Sequence, residues 1–169
     1  MTTIFLQRHG IAEGGGAGVD RHLTRQGSAE LAAAAAGLAA AGMRVEAACH
    51  SPLARTRQTA EHMQPVLAPG AESALCPPLA PGVDPAALMG WLRAHLGDLK
   101  PVLLVGHMPD VAVLVALWAT GTAGGQIAFD PGTLARLDFP GGRIRAAAGH
   151  LRWLIPAALL RHARAPLLA

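Results

Sequence analysis

Short apolar runs alternate along this chain with longer helical ones. Ile4-Phe5-Leu6 predicts a buried strand that ends at Arg8-His9-Gly10. A glycine-rich stretch over residues 13–20 reads as a flexible connection, since it lacks the Gly-Lys-Ser/Thr ending of a phosphate-binding loop. Thr24 is the expected N-cap of an Ala-rich helix reaching about residue 41, with Gly42 as its stop. Residues 45–49 predict a second strand. Ser51-Pro52 then carries an N-cap plus first-turn proline signature, opening a helix to about residue 64. Residues 65–85 read as a Pro/Gly-rich loop with one short strand near Ala74. Asp84-Pro85 repeats the cap signal for a helix to about Leu96. Residues 101–105 form a continuous apolar strand, and Gly106-His107-Met108-Pro109 turns it into an apolar helix to about Ala119. Residues 134–139 and 150–154 predict late strands with Gly141-Gly142 as the turn between them. This alternation predicts an α/β fold with a mostly parallel sheet in one domain over residues 1–169, residues 156–169 being a C-terminal helical tail.

Composition narrows the class. With 51% hydrophobic and 15% charged residues, the chain can bury a full core and is not disordered. Two cysteines cannot build a disulfide framework, and the expected setting is the cytoplasm. The N-terminus lacks the basic region and the apolar length of a signal peptide. The apolar stretch over residues 31–41 is about half the ~20 residues needed to span a bilayer. His107, Pro109 and Asp110 interrupt the other long one, so no membrane partner is expected. The net charge of +3 is mild, no block of five basic residues exists, and Tyr is absent, so no nucleic-acid partner is expected either. Of the 14 basic residues 13 are Arg, which favours forked recognition of phosphate or carboxylate. Trp91, Trp118 and Trp153 are assigned to the core, and a monomer is favoured.

Three strand exits carry polar residues: Arg8-His9-Gly10, His50-Ser51-Pro52 with Arg55, and Gly106-His107. In a doubly wound sheet, ligands bind outside the carboxyl ends of the strands, so these residues converge on one edge. Two guanidinium forks and a helix N-terminus suit a tetrahedral oxyanion. One imidazole could then take the phosphoryl group covalently, and a protonated second one would stabilise developing charge. A metal site is the competing use of two histidines. No third ligand has suitable spacing and adjacent arginines repel a cation, so a metal is not expected.

Leu6-Gln7-Arg8-His9-Gly10, the run from Ser51 to Thr59, and Val105-Gly106-His107 resemble the histidine phosphatase (phosphoglycerate mutase-like) superfamily. Arg21-His22-Leu23-Thr24-Arg25-Gln26-Gly27 resembles an element of its short SixA-type phosphohistidine phosphatase branch. The resemblance runs from about residue 3 to residue 155. It implies a three-layer α/β/α sandwich with a mostly parallel central sheet. It also implies that His9 is the nucleophile, that Arg8, Arg55 and His107 complete the phosphate pocket, that Arg21 adds a contact, and that no cofactor is needed.

Two departures shape the expected substrate. Ile11-Ala12-Glu13 stands where mutases of the superfamily carry a polar run with Asn, and Pro78 lies where larger members carry a proton-donating carboxylic acid. Asp84 and Glu13 are the remaining candidates for that acid, although Asp84 also reads as an N-cap, and Asp110 reads as dipole compensation in a first helical turn. An alkoxide leaving group needs a proton. An imidazole leaving from phosphohistidine can already carry one on its other nitrogen. The leading expectation is therefore a phosphatase acting on protein phosphohistidine through a phospho-His9 intermediate. The alternatives are a phosphomonoesterase acting on a small phosphorylated metabolite and a non-catalytic phosphate-binding adaptor.

Overall fold

A computed structural model of the chain describes residues 1–15, 19–96 and 101–163. Its strands and helices follow the order β1 (Thr2–Arg8), α1 (Arg25–Ala40), β2 (Ala47–His50), α2 (Ala54–His62), β3 (Ser73–Leu75), α3 (Pro85–Leu96), β4 (Val102–Gly106), α4 (Asp110–Thr120), β5 (Leu134–Phe139), β6 (His150–Ile155) and α5 (Ala157–Leu160). Among the described residues the strands form one six-stranded sheet in the order β3-β2-β4-β1-β5-β6. The pairs β3–β2, β2–β4 and β4–β1 are parallel, while β1–β5 and β5–β6 are antiparallel.

Alternating side chains of a strand point to opposite faces, and the core divides accordingly. Ile4, Leu6, Val102 and Leu104 pack with Leu88, Leu92, Leu114 and Trp118 on the face covered by α3 and α4. Phe5, Leu103 and Val105 pack with Leu38, Ala60, Met63 and Leu160 on the face covered by α1, α2 and α5. The result is the three-layer α/β/α fold, with a central strand pair apolar on both faces because both are covered.

Several boundaries differ from the sequence expectation. Ser51 does not cap α2: the helix begins at Ala54, Leu53 occupies the N-cap position, and the Asp20 carboxylate accepts from Ala54 N–H at 2.9 Å. The Ser51 hydroxyl is engaged elsewhere, as described below. The helix also stops at His62, and a 3₁₀ turn, Gln64–Val66, replaces its last residues because Pro65 offers no N–H to continue the ladder. Val45 makes an isolated bridge to Leu67 ahead of β2. Residues 140–149 form a longer connection than a glycine turn, since Ile144 folds back into the core. Thr24 does cap α1, accepting from Gly27 N–H at 3.0 Å. Asp84 likewise caps the start of α3, accepting from Ala86 N–H at 2.9 Å. Among the described residues, the C-terminal helical tail comprises α5. A Cβ added at Gly37 of α1 would stand 2.4 Å from the Leu160 carbonyl oxygen, so glycine permits this close contact. The rest of the tail, residues 164–169, and Gly16 to Gly18 of the glycine-rich stretch lie outside the described residues.

Candidate active site

The sheet order puts β4 between β1 and β2, so the segments leaving these three strands lie side by side. Arg8 pairs in register with Gly106, and His50 with Val105. Past the last register positions, His9 N–H donates to Gly106 O at 3.1 Å and Ser51 N–H donates to Val105 O at 3.3 Å. The ladder therefore carries His9, Ser51 and His107 to one depth at one sheet edge. The His9 and His107 rings lie 5.4 Å apart between centroids. Arg55 enters from the first turn of α2 and is buried.

Side-chain and backbone contacts hold each group. His9 Nδ1 lies 2.8 Å from the carbonyl oxygen of Gly10. A carbonyl only accepts, so Nδ1 carries the proton and Nε2 keeps a free lone pair. Gly10 N–H is held by Thr59 Oγ1, whose own hydroxyl donates to Arg55 O. Arg8 Nη1 donates to Phe129 O at 2.6 Å. Arg8 Nε, Arg55 Nε and His107 Nδ1 are buried without a hydrogen-bond partner. Two buried guanidinium donors and a buried ring nitrogen at one edge mark a place shaped for an acceptor-rich ligand.

The electrostatics agree. Burial pushes His9 down to about 4 from the usual 6.5, opposed by its bond to Gly10 and reinforced by Arg55, Arg8 and Arg21. Burial pushes His107 down to about 3, reinforced by Arg55, His9, Arg21 and Arg8. Arg8 and Arg55 are themselves lowered, first by burial. The groups acting on His9 are arginines and those acting on His107 are the arginines and His9, while the carboxylates Asp130 and Asp20 act on Arg8 and Arg55. Four basic groups disfavouring one another's charge form a site that an incoming dianion relieves.

The model of the histidine phosphatase superfamily (branch 1) matches residues 4–74. An uncharacterized protein of Picosynechococcus sp. is 30% identical over 172 residues, covering 90% of this chain and 99% of the relative. The structure of the protein histidine phosphatase SixA complexed with tungstate superposes with a TM-score of 0.78 at 26% identity, covering 94% of this chain and 99% of that one. The chain belongs to the histidine phosphatase superfamily. A putative alpha-ribazole-5'-P phosphatase from Escherichia coli shares the fold, with a TM-score of 0.70 at 15% identity over 93% of this chain and 97% of that one.

The histidine phosphatase brings Arg8, His9, Arg55 and His107 together, as the strand exits predict. Arg21 joins them electrostatically: it acts on His9, His107, Arg8 and Arg55. It sits on a strap whose described parts are residues 11–15 and 19–24. The Ala12–Leu23 bridge closes that strap, and Leu23 N–H donates to Gln58 Oε1 to pin it to α2. Asp84 and Glu13 are not brought in by any contact. The Asp84 carboxylate is used in its cap, and the Glu13 side chain is exposed on the strap. Asp110 ties two backbone N–H groups, those of Gly82 and Val83, to the start of α4. Among the described residues no cluster of His, Cys, Asp or Glu is arranged to hold a metal ion. Burial pushes the Cys49 and Cys76 thiols up to about 12, in keeping with their place in the core.

Sequence reasoning gives no pocket role to Thr56, Thr59 or Asp20, and it reads Ser51 as a helix start. The pairing of Ser51 with His107 spans 56 positions. The run of hydroxyls between Ser51 and Thr59 was the available signal. An exposed helix face has no need of three buried hydroxyl groups.

Proposed function

We propose that this phosphatase hydrolyses protein phosphohistidine, with His9 Nε2 as the nucleophile and Arg8, Arg55 and His107 around the transferred phosphoryl group. In the first step His9 Nε2 bonds to phosphorus while the bond from phosphorus to the substrate imidazole breaks. In the second, water displaces His9 and releases inorganic phosphate. The His9 Nδ1–H bond to Gly10 keeps the reactive lone pair on Nε2. Arg8 and Arg55 receive the charge of the equatorial oxygens, and Arg21 adds to the field from the strap.

One observation carries the choice of substrate: among the described residues the charges acting on His9 and His107 are basic, and the carboxylates of the site, Asp130 and Asp20, act on Arg8 and Arg55 instead. A leaving imidazole protonated on its far nitrogen departs without an enzyme acid, whereas an alkoxide does not. The likeness to SixA at 26% identity supports the same reading. Leu75 and Met108 are exposed at the carboxyl edge and offer apolar contact to a protein partner. Incubation with a phosphohistidine-bearing protein should release phosphate, and His9→Ala should abolish release. A wild type inert on phosphohistidine yet fast on sugar phosphates would refute the assignment.

The fold shared with a putative alpha-ribazole-5'-P phosphatase favours a second reading, a phosphomonoesterase acting on a small metabolite. It requires a working acid. Asp84→Asn or Glu13→Gln should then lower kcat strongly on an ester, and loss confined to stability counts against it.

A further inference from the structure

The Ser51 hydroxyl is fully buried, 2.6 Å from His107 Nε2 and 3.0 Å from the Thr56 hydroxyl. Leu53 N–H donates to it at 3.3 Å. Thr56 Oγ1 also stands 2.7 Å from Leu53 O and 3.0 Å from Ser51 O. These contacts can be counted in protons. A carbonyl only accepts, so the single Thr56 proton goes to one of the two carbonyls. The Ser51–Thr56 contact then takes the Ser51 proton. The Ser51–His107 contact has a proton only if His107 supplies it from Nε2. In that tautomer only the second Thr56–carbonyl contact lacks a proton of its own. In the other, a second close oxygen pair is left with no hydrogen between its atoms, which is costly in a buried site.

His107 Nδ1 is therefore the bare nitrogen, and it is the atom buried without a partner. A phosphoryl dianion has no proton to donate, so it meets a bare Nδ1 as lone pair against lone pair. That contact turns attractive only when Nδ1 gains a proton.

We propose that Ser51 and Thr56 are positioning residues that hold His107 in its Nε2–H tautomer, so that binding of a phosphoryl dianion draws one proton from solvent onto His107 Nδ1. The inference rests on the phosphate-pocket reading above. The Nδ1 lone pair forms the new N–H bond, water or buffer gives up the proton, and the ring changes from neutral to cationic. The proton returns when phosphate leaves. Ser51 Oγ accepts from Nε2–H in both states, and its bond strengthens when the ring is charged. Arg8 of β1, His9 just beyond it, Arg55 from α2 and Arg21 from the strap all oppose charge on His107 in the free protein. Asp110, on the helix that follows His107, faces Gly82 and Val83. The charge of the dianion itself is what offsets the four basic groups.

Calorimetric titration with tungstate near pH 7, in buffers of different ionisation enthalpy, measures the protons taken up. Two-bond 1H–15N spectra report the His107 tautomer. The free wild type should show a protonated Nε2, and uptake should approach one proton per tungstate. Ser51→Ala and the near-isosteric Thr56→Val should each lower that uptake at least twofold, while Thr56→Ser retains it. Binding without proton uptake, an Nδ1–H ring in the free protein, or wild-type uptake in Thr56→Val would each overturn the inference. Failure to bind tungstate at all would instead overturn the phosphate-pocket reading, and the uptake step with it.

Discussion

Acid should unfold this protein through the two histidine rings it buries at the sheet edge. His9 titrates at about 4 and His107 at about 3 in the folded state, against 6.5 when free. Both folded values are depressed for a group that is cationic when protonated. The unfolded chain therefore binds the extra protons. The stabilising contribution is full above pH 6.5 and is lost as the pH falls from there toward 4 and 3. At pH 4.5, two units below the free value, a fully enclosed ring would lose about 2.7 kcal/mol, at about 1.36 kcal/mol per unit. Solvent at the pocket mouth brings this to roughly 2 kcal/mol for each ring. Against a typical domain stability of about 5–15 kcal/mol, the pair decides acid tolerance. Urea unfolding followed by circular dichroism between pH 8 and 4.5 measures it. His9→Asn and His107→Asn should each flatten the stability-versus-pH curve by about 2 kcal/mol over that range. If wild type and variants lose stability in parallel, the two rings are not the depressed groups and the electrostatic account of the pocket is wrong.

Other outcomes follow from single contacts. Arg55→Lys replaces a fork by a point charge and should lower kcat about 100-fold on phosphohistidine; an unchanged kcat would remove Arg55 from the phosphoryl group. Gly27→Ala would set a Cβ 2.3 Å from the Ile11 carbonyl oxygen. It should cost about 2 kcal/mol in urea unfolding, and a loss under about 0.5 kcal/mol would show that the strap gives way easily. Asp20→Ala removes the acceptor for Ala54 N–H. A stability loss of about 1 kcal/mol is expected, and none would mean that water caps α2 equally well. Asp84→Asn should keep kcat on phosphohistidine within about twofold, since its carboxylate serves the start of α3. A large fall would make it the acid.

Much of this molecule is legible along the chain because it depends on neighbours in sequence. The apolar runs ending at Arg8-His9, His50-Ser51 and Gly106-His107 specify strands whose exits share an edge. That follows from the rule that parallel strands joined by helices end together. Thr24 and Asp84 act as caps through bonds two or three residues away, and so a local pattern suffices to find them. The two late strands are equally visible, but their antiparallel addition beside β1 is a matter of which edge was free.

Tertiary structure alone decided which atom of each side chain faces inward. Ser51-Pro52 has the composition of a helix start, yet β2 delivers that hydroxyl to His107, and Asp20 on a distant strap takes over at the α2 N-terminus. The tautomer of His9 follows from a carbonyl one residue away, but that of His107 follows from a chain of hydroxyls 56 positions distant. Local bonds are written in order along the sequence. A proton's place in a buried network depends on every partner that packing brings within 3 Å or so, and no spacing along the chain records that.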